Sequence, residues 1–153
     1  MGVTDIIIAT AAFWGAILST IVFVSQILEH RTKIRVEYQN YLDEDETGFV
    51  REFYLIRAIN ERNKPVTMSH AYIEQYPPIK VGILPTVART TWDTSIDGKQ
   101  IFKEQRVQAE FEYPKDFKLI IPPENRGEKK QVIGVFVDQA GNIYKSDKPF
   151  MVG

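Results

Sequence analysis

The run from Ile6 to Leu28 holds 23 consecutive residues without a formal charge. No other feature constrains the chain so strongly. As an α-helix rising ~1.5 Å per residue it spans about 34 Å, more than the roughly 30 Å of a bilayer's hydrocarbon core. Twelve of the 23 residues are Ile, Leu, Val or Phe, each favouring insertion by about 0.3–0.6 kcal/mol near the helix centre. The β-branched residues among them weaken a helix in water, but lipid leaves the backbone no other hydrogen-bonding partner. A cleaved signal peptide needs a basic start, a shorter apolar core and a small-residue cleavage site. Here the first five residues contain no Lys or Arg, and the run ends in Leu28-Glu29-His30-Arg31. A lipid-modified anchor would need a cysteine, and the chain has none. The run is therefore expected to be a transmembrane helix, with a wholly buried soluble helix as the competing reading.

The charges are divided unevenly. Residues 1–28 carry one acid, Asp5, and no Lys or Arg, so residues 29–153 hold 19 basic and 19 acidic residues. A neutral domain lacks the concentrated positive footprint that nucleic-acid binding requires. Arg31, Lys33 and Arg35 follow the apolar run and no cation precedes it. The positive-inside rule then puts the C-terminal part in the cytoplasm and the short tail outside, as in a bacterial inner membrane. The same three cations are positioned to meet anionic headgroups. The expected layout is a tail at 1–5, a transmembrane helix at 6–28, a connector at 29–33 and a β domain at 34–153.

Small residues form two adjacent rows on the helix, Ala11/Gly15/Ser19 and Ala12/Ala16/Thr20. Residues four apart share a helix face, and small side chains let a second helix approach closely. Self-association or a partner helix is expected there, against the alternative that membrane helices are rich in small residues anyway.

Beyond Thr32 the apolar period changes to two, the signature of half-buried strands. Ile34, Val36 and Tyr38 alternate with Lys33, Arg35 and Glu37. Residues 49–59 are apolar on both faces in their second half, which predicts a central strand. The turn 60–65 predicts a hairpin between that strand and 66–74. Three prolines in 75–85 allow only edge-like or irregular structure. Asp97-Gly98 predicts a hairpin between 90–96 and 99–104. Residues 107–113 alternate cleanly, 117–121 repeat the pattern, and Gln139-Ala140-Gly141 joins 132–138 to 142–146 as another hairpin. About eight strands with no further helix predict an antiparallel, immunoglobulin-like β-sandwich.

Two stretches carry a resemblance. Asn60, Arg62, Lys64, Pro65 and Val66 form one turn pattern, and Asp138, Gly141, Tyr144, Lys145 and Ser146 form another. In these the chain resembles uncharacterised small bacterial and phage-borne membrane proteins with one N-terminal helix and a β-sandwich. The resemblance covers about a third of the chain. It implies the same anchored-sandwich layout and no known activity.

Signals for chemistry are sparse. Asp43, Asp45, Thr47, Gly48 and Val50 match positions of a calcium-binding loop, but its last, bidentate position is Tyr54. The expected reading of the stretch is an acidic, solvated β-turn between strands, with no metal site. His70 lies mid-strand with no second histidine near it, and strand alternation sends Ser69 and His70 to opposite faces. Glu110 and Glu112 share a face and read as the wet side of their strand. No nucleophile, metalloprotease or phosphate-loop motif occurs. Tyr76 and Trp92 are candidate aromatic anchors of a binding surface, against edge or core packing. The expectation is a binding, scaffolding or assembly module on a membrane anchor, without catalytic residue or cofactor. Its partners would be the bilayer and another protein. The alternative is an extracytoplasmic adhesion or envelope-binding module with the opposite topology.

Overall fold

The computed structural model describes residues 2–30, 33–81 and 84–153; Arg31 lies outside them. Helix α1 runs Val3–His30 and contains the apolar window Ile6–Ile27, long and apolar enough to cross a membrane. None of that window is buried against the rest of the chain. All else is mainly β, in two antiparallel sheets and one small hairpin.

The first sheet is ordered β1 (Ile34–Glu44), β2 (Val50–Asn60), β7 (Arg106–Tyr113). The second is ordered β10 (Phe150–Val152), β8 (Lys130–Asp138), β3 (Val66–Gln75), β6 (Gln100–Ile101), with β9 (Ile143–Lys145) also paired to β8. The small hairpin pairs β4 (Ile79–Val81) with β5 (Leu84–Thr86), within the proline-rich stretch expected to be edge-like. One buried cluster joins the sheets: Tyr54, Ile56 and Ala58 of β2 and Phe111 of β7 on one side, Met68 and Ile73 of β3 and Phe136 of β8 on the other. The strand 49–59 is central as expected, since β2 lies between β1 and β7. The hairpin at 139–142 also forms, with Val137 opposite Ile143.

Three expectations are corrected. The segments 49–59 and 66–74 are not a hairpin. β2 pairs with β1 and β7, while β3 pairs with β8 and β6 in the other sheet. Two consecutive apolar strands satisfy burial equally well edge to edge or face to face, and here they face each other across the core. The turn between them is fastened by Asn60, fully buried, whose Nδ2 donates to the carbonyls of Lys64 (2.8 Å) and Ile101 (3.0 Å). Its Oδ1 accepts from the Arg62 amide at 3.0 Å.

Asp97-Gly98 does not close a two-residue hairpin either. Gly98 supplies its positive φ (+73°) inside a turn at 94–98. Residues 88–101 run as a broken edge along β3: the amides of Ala71 and Asp93 exchange bonds with each other's carbonyls, and Met68 N donates to Lys99 O. Finally, 117–121 is a helical turn. Phe117, Ile120 and Ile121 are buried, a spacing of three and four, and the amides of Ile120 and Ile121 both donate to Phe117 O. Leu119, assigned to the buried face by a period of two, is 71% exposed. The short β10 carried no sequence signal, having only three residues.

Candidate functional site

Strand β3 is buried on both faces, and that is what builds the most distinctive surface of the domain. A bulge between Met68 and His70 breaks its alternation. Beyond the bulge Ala71 and Ile73 join the core, and Tyr72 packs with Ile133, Val135 and Val137 on the sheet's outer side. The bulge also brings Ser69 Oγ to 3.2 Å from His70 Nδ1. The expectation that these neighbours point to opposite faces is thus overturned by a local irregularity. No carboxylate is hydrogen-bonded to the imidazole among the described residues, so it lacks the orienting group of a nucleophile–base relay.

On this outer face the rings form a stack. The indole of Trp92 lies over His70 at 4.6 Å between centroids and 13° between planes, and over Tyr72 at 6.4 Å. The Arg89 guanidinium sits 4.7 Å from the Tyr72 ring centroid, a cation–π contact. Arg89 Nε also faces Glu74 Oε2 at 3.5 Å, an ion pair without a hydrogen bond. Glu74 is buried, and its other oxygen accepts from Lys145 Nζ at 2.5 Å. Burial pushes the Tyr72 hydroxyl above its ordinary pKa, and the nearby Arg89 charge partly offsets this. Trp92 remains 58% exposed. An exposed indole backed by stacked rings and flanked by Arg and Lys has the composition of a protein-contact hot spot. Tyr76 is also exposed, but no ring contact ties it to the stack. Sequence reasoning singled out Trp92 and Lys145 and missed Glu74 and Arg89. An acid between Ile73 and Gln75 gives no sign that two distant cations will meet it.

The acidic stretch is a turn closing the β1–β2 hairpin. Asp45 Oδ1 accepts from the Thr47 amide (2.9 Å), the Thr47 hydroxyl (2.5 Å) and the Phe49 amide (3.0 Å), and its Oδ2 lies 3.6 Å from Arg51. The Thr47 hydroxyl and these amides hold the carboxyl below its usual range. Asp43 lies in β1 opposite Arg51. Glu110 accepts from the Tyr41 hydroxyl at 2.5 Å, and this bond first, with burial second, raises the phenol to about 12. Among the described residues, no three His, Cys, Asp or Glu side chains come together as metal ligands.

On the helix, Ala11, Ala12, Gly15, Ala16, Ser19 and Thr20 are all exposed. A shallow groove of about 280 Å³ follows the Ala16/Thr20 row between Phe13, Ile17 and Ile21. The Thr20 hydroxyl donates to Ala16 O at 2.9 Å, satisfying itself within its own helix. A Cβ added at Gly15 would meet nothing within 4 Å. Of the cations that follow the helix, Lys33 pairs with Glu61 at 2.8 Å, and Arg35 pairs with Glu61 and Glu37, both at 3.2 Å. The Lys33 ammonium holds the Glu61 carboxyl below its usual range.

The pattern Asp138…Ser146 is fold chemistry. Asp138 Oδ1 accepts from the Asn142 amide, and Oδ2 from Asn142 Nδ2 and the Tyr144 hydroxyl, all at 2.8 Å. Gly141 takes the positive φ (+85°) of the turn, and Ser146 exchanges bonds with both backbone groups of Gly134. Burial raises the Asp138 pKa, but its hydrogen bonds outweigh that and leave the net value lowered. A lowered folded pKa contributes stability above about pH 4, the unfolded value, that is lost as pH falls through the folded value. Asp138→Asn is expected to cost about 1–2 kcal/mol at pH 7. In urea titrations from pH 7 downward the gap to the parent should narrow once the pH falls below the ordinary aspartate value; a constant gap would mean the carboxylate charge contributes nothing.

No protein-family profile and no curated protein matches the chain. Among solved structures it is similar to a Bordetella pertussis protein provisionally named ApaA, at TM-score 0.45 and 12% identity over 80% of this chain and 94% of that one. It is also similar to the Northeast Structural Genomics Consortium target SoR45, at TM-score 0.42 and 15% identity over 78% of this chain and 86% of that one. Likenesses of this size carry no inference about what this chain does.

Proposed function

We propose that the protein is a single-pass membrane protein displaying an immunoglobulin-like β-sandwich as a binding or assembly module at the cytoplasmic face of the membrane. The observation that carries this reading is the apolar window Ile6–Ile27, none of it buried, beside a β domain whose core closes without it. An exposed, predominantly apolar helix of 22 residues in water would be a severe aggregation liability; in a bilayer it is matched to its solvent. The sandwich assignment is supported by strand order. β1-β2-β7 corresponds to A-B-E of an immunoglobulin-type domain, and β3-β8 with β9 and β10 corresponds to C-F-G. β6 adds a short strand beside C, and among the described residues no strand stands in the place of D.

Anchoring confines the domain to two dimensions and raises its effective concentration near membrane partners. The face around Trp92, His70 and Arg89 is the surface proposed to meet a protein partner. The orientation rests on the cations after the helix. Reporters fused after Gly153 test it: a cytoplasm-active reporter should work and a periplasm-only reporter should not, and the reverse result removes the assignment. Alkaline extraction tests the anchor itself, because a protein released from the membrane fraction is not spanning it.

The small-residue rows are proposed as a helix-packing face. Gly15→Leu with Ala16→Leu should reduce in-membrane cross-linking several-fold without releasing the protein from the bilayer. Unchanged cross-linking would leave the helix as an anchor only.

A further inference from the structure

The end of the first sheet where β1 begins carries a feature the proposed function does not use. Phe102 is 49% exposed where it opens a tight turn. The Gln105 amide donates to Phe102 O, and Phe102 N donates to Gln105 Oε1 at 3.1 Å. Glu104 is held at φ +63°, the one non-glycine residue with a positive φ among those described. A left-handed φ is unfavourable for a side chain with a Cβ and persists only where the surroundings enforce it. Here the enforcement comes from β2: Glu104 N donates to Asn60 O at 2.7 Å, and Asn60 N donates to Gln105 O at 3.1 Å. The turn is therefore rigidly built, yet what it presents is an apolar ring in the open.

Cations are gathered at the same end of the sheet. Lys99, Lys103 and Arg106 lie on the same loop, and Lys64 is brought to this end by the Asn60 side chain, which bonds the carbonyls of both Lys64 and Ile101. None of these four makes an ion pair among the described residues. The acids at this end are Asp97, Glu104 and Glu61, the last already engaged by Lys33 and Arg35. An open groove of about 550 Å³ runs beside the loop, with Lys99 and Arg106 on its wall.

Chain connectivity fixes where this end must be. Ile34 pairs with Asn60 and follows the last helical residue, His30, by four positions. Even a fully extended connector reaches at most ~14 Å, and the turn is about two strand spacings, ~10 Å, further across the sheet. The opposite end of the same sheet, at Phe49, is about 30 Å away along the strands.

Resting on the membrane-anchor reading, we propose that the 99–106 loop is a second, peripheral contact with the bilayer. Phe102 enters the headgroup region, and Lys99, Lys103, Arg106 and Lys64 engage anionic phospholipid headgroups. The domain is then held against the surface in one orientation. Each Lys or Arg at an anionic surface strengthens binding by roughly five-fold, so four unpaired cations beside an inserted ring form a substantial contact.

The absence of cysteine makes the test clean. Single cysteines are introduced in the full-length protein at Gly15, Phe49 or Phe102, labelled with an environment-sensitive fluorophore, and reconstituted in phosphatidylcholine vesicles with or without phosphatidylglycerol and with a lipid-borne quencher. The label at 15 should be quenched in both membranes and the label at 49 in neither. The label at 102 should be quenched and blue-shifted only with phosphatidylglycerol. That response should fade at high salt and on replacing Lys99, Lys103 and Arg106 with Gln. A label at 102 as unquenched as that at 49, with 15 still quenched, overturns the docking loop and leaves the anchor standing. Equal quenching at 102 in both membranes overturns the anionic preference. An unquenched label at 15 removes the anchor and the docking contact with it.

Discussion

Asn60→Ala should lower the stability of the β domain by about 3 kcal/mol. The side chain is fully buried and makes three hydrogen bonds, to Lys64 O, Ile101 O and the Arg62 amide. Together these fasten the turn that carries the chain from one sheet to the other, so alanine leaves the buried Ile101 carbonyl and two part-buried backbone groups without this partner, as well as a cavity. Asn60→Asp is the sharper probe. It keeps an acceptor for the Arg62 amide but sets a carboxylate against two carbonyl oxygens. Its folded pKa must rise above the ordinary aspartate value, so the variant is penalised at pH 7 and recovers as pH falls toward 4. Urea unfolding across that range measures both effects. An Asn60→Ala cost below about 1 kcal/mol, or an aspartate variant indifferent to pH, would show that the turn is fastened by something else.

Gly134→Ala should cost about 1–3 kcal/mol through overpacking. Gly134 lies in β8 directly facing Ile56 of β2. A Cβ there would stand 2.7 Å from Ile56 Cγ2 and 3.3 Å from Ile56 Cβ. Ile56 is fully buried, and a β-branched side chain has little freedom to rotate away. Ser146 bonds both the N–H and the C=O of Gly134, which resists a shift of the strand itself. The decisive measurement is a double-mutant cycle with Ile56→Ala. The pair should be less destabilising than the two single costs added together, because one change makes room for the other. Additive costs would place the strain elsewhere.

These two residues mark the boundary of what sequence reading reaches. Asn60 is legible as part of a turn pattern with Lys64, but its other carbonyl partner, Ile101 in β6, lies 41 positions away. Gly134 lay inside an apolar run and gave no warning that Ile56, 78 positions earlier, would touch it. The same limit explains Glu74, whose cations come from positions 89 and 145. It also explains the strand pairing: the β2–β3 turn looks like a hairpin turn because local chemistry is the same whether the chain returns beside its neighbour or crosses to the opposite sheet. At 117–121 the two periods are indistinguishable over five residues, and burial of Phe117, Ile120 and Ile121 selects the helical one.

What the sequence determined by itself was whatever depends on neighbours along the chain. The uncharged run defined the helix, alternation defined β1 and β7, and Asp138 with Gly141 defined the β8–β9 turn. Each follows from a backbone preference or a period of two or 3.6, which needs no knowledge of the rest of the molecule. Which strands lie edge to edge, where β3 bulges, that Trp92 stacks on His70, and that Phe102 shares one end of the sheet with the start of β1 were decided only by tertiary structure. Those outcomes turn on contacts between residues far apart in the chain, where many pairings bury similar apolar area and only the packed whole distinguishes them.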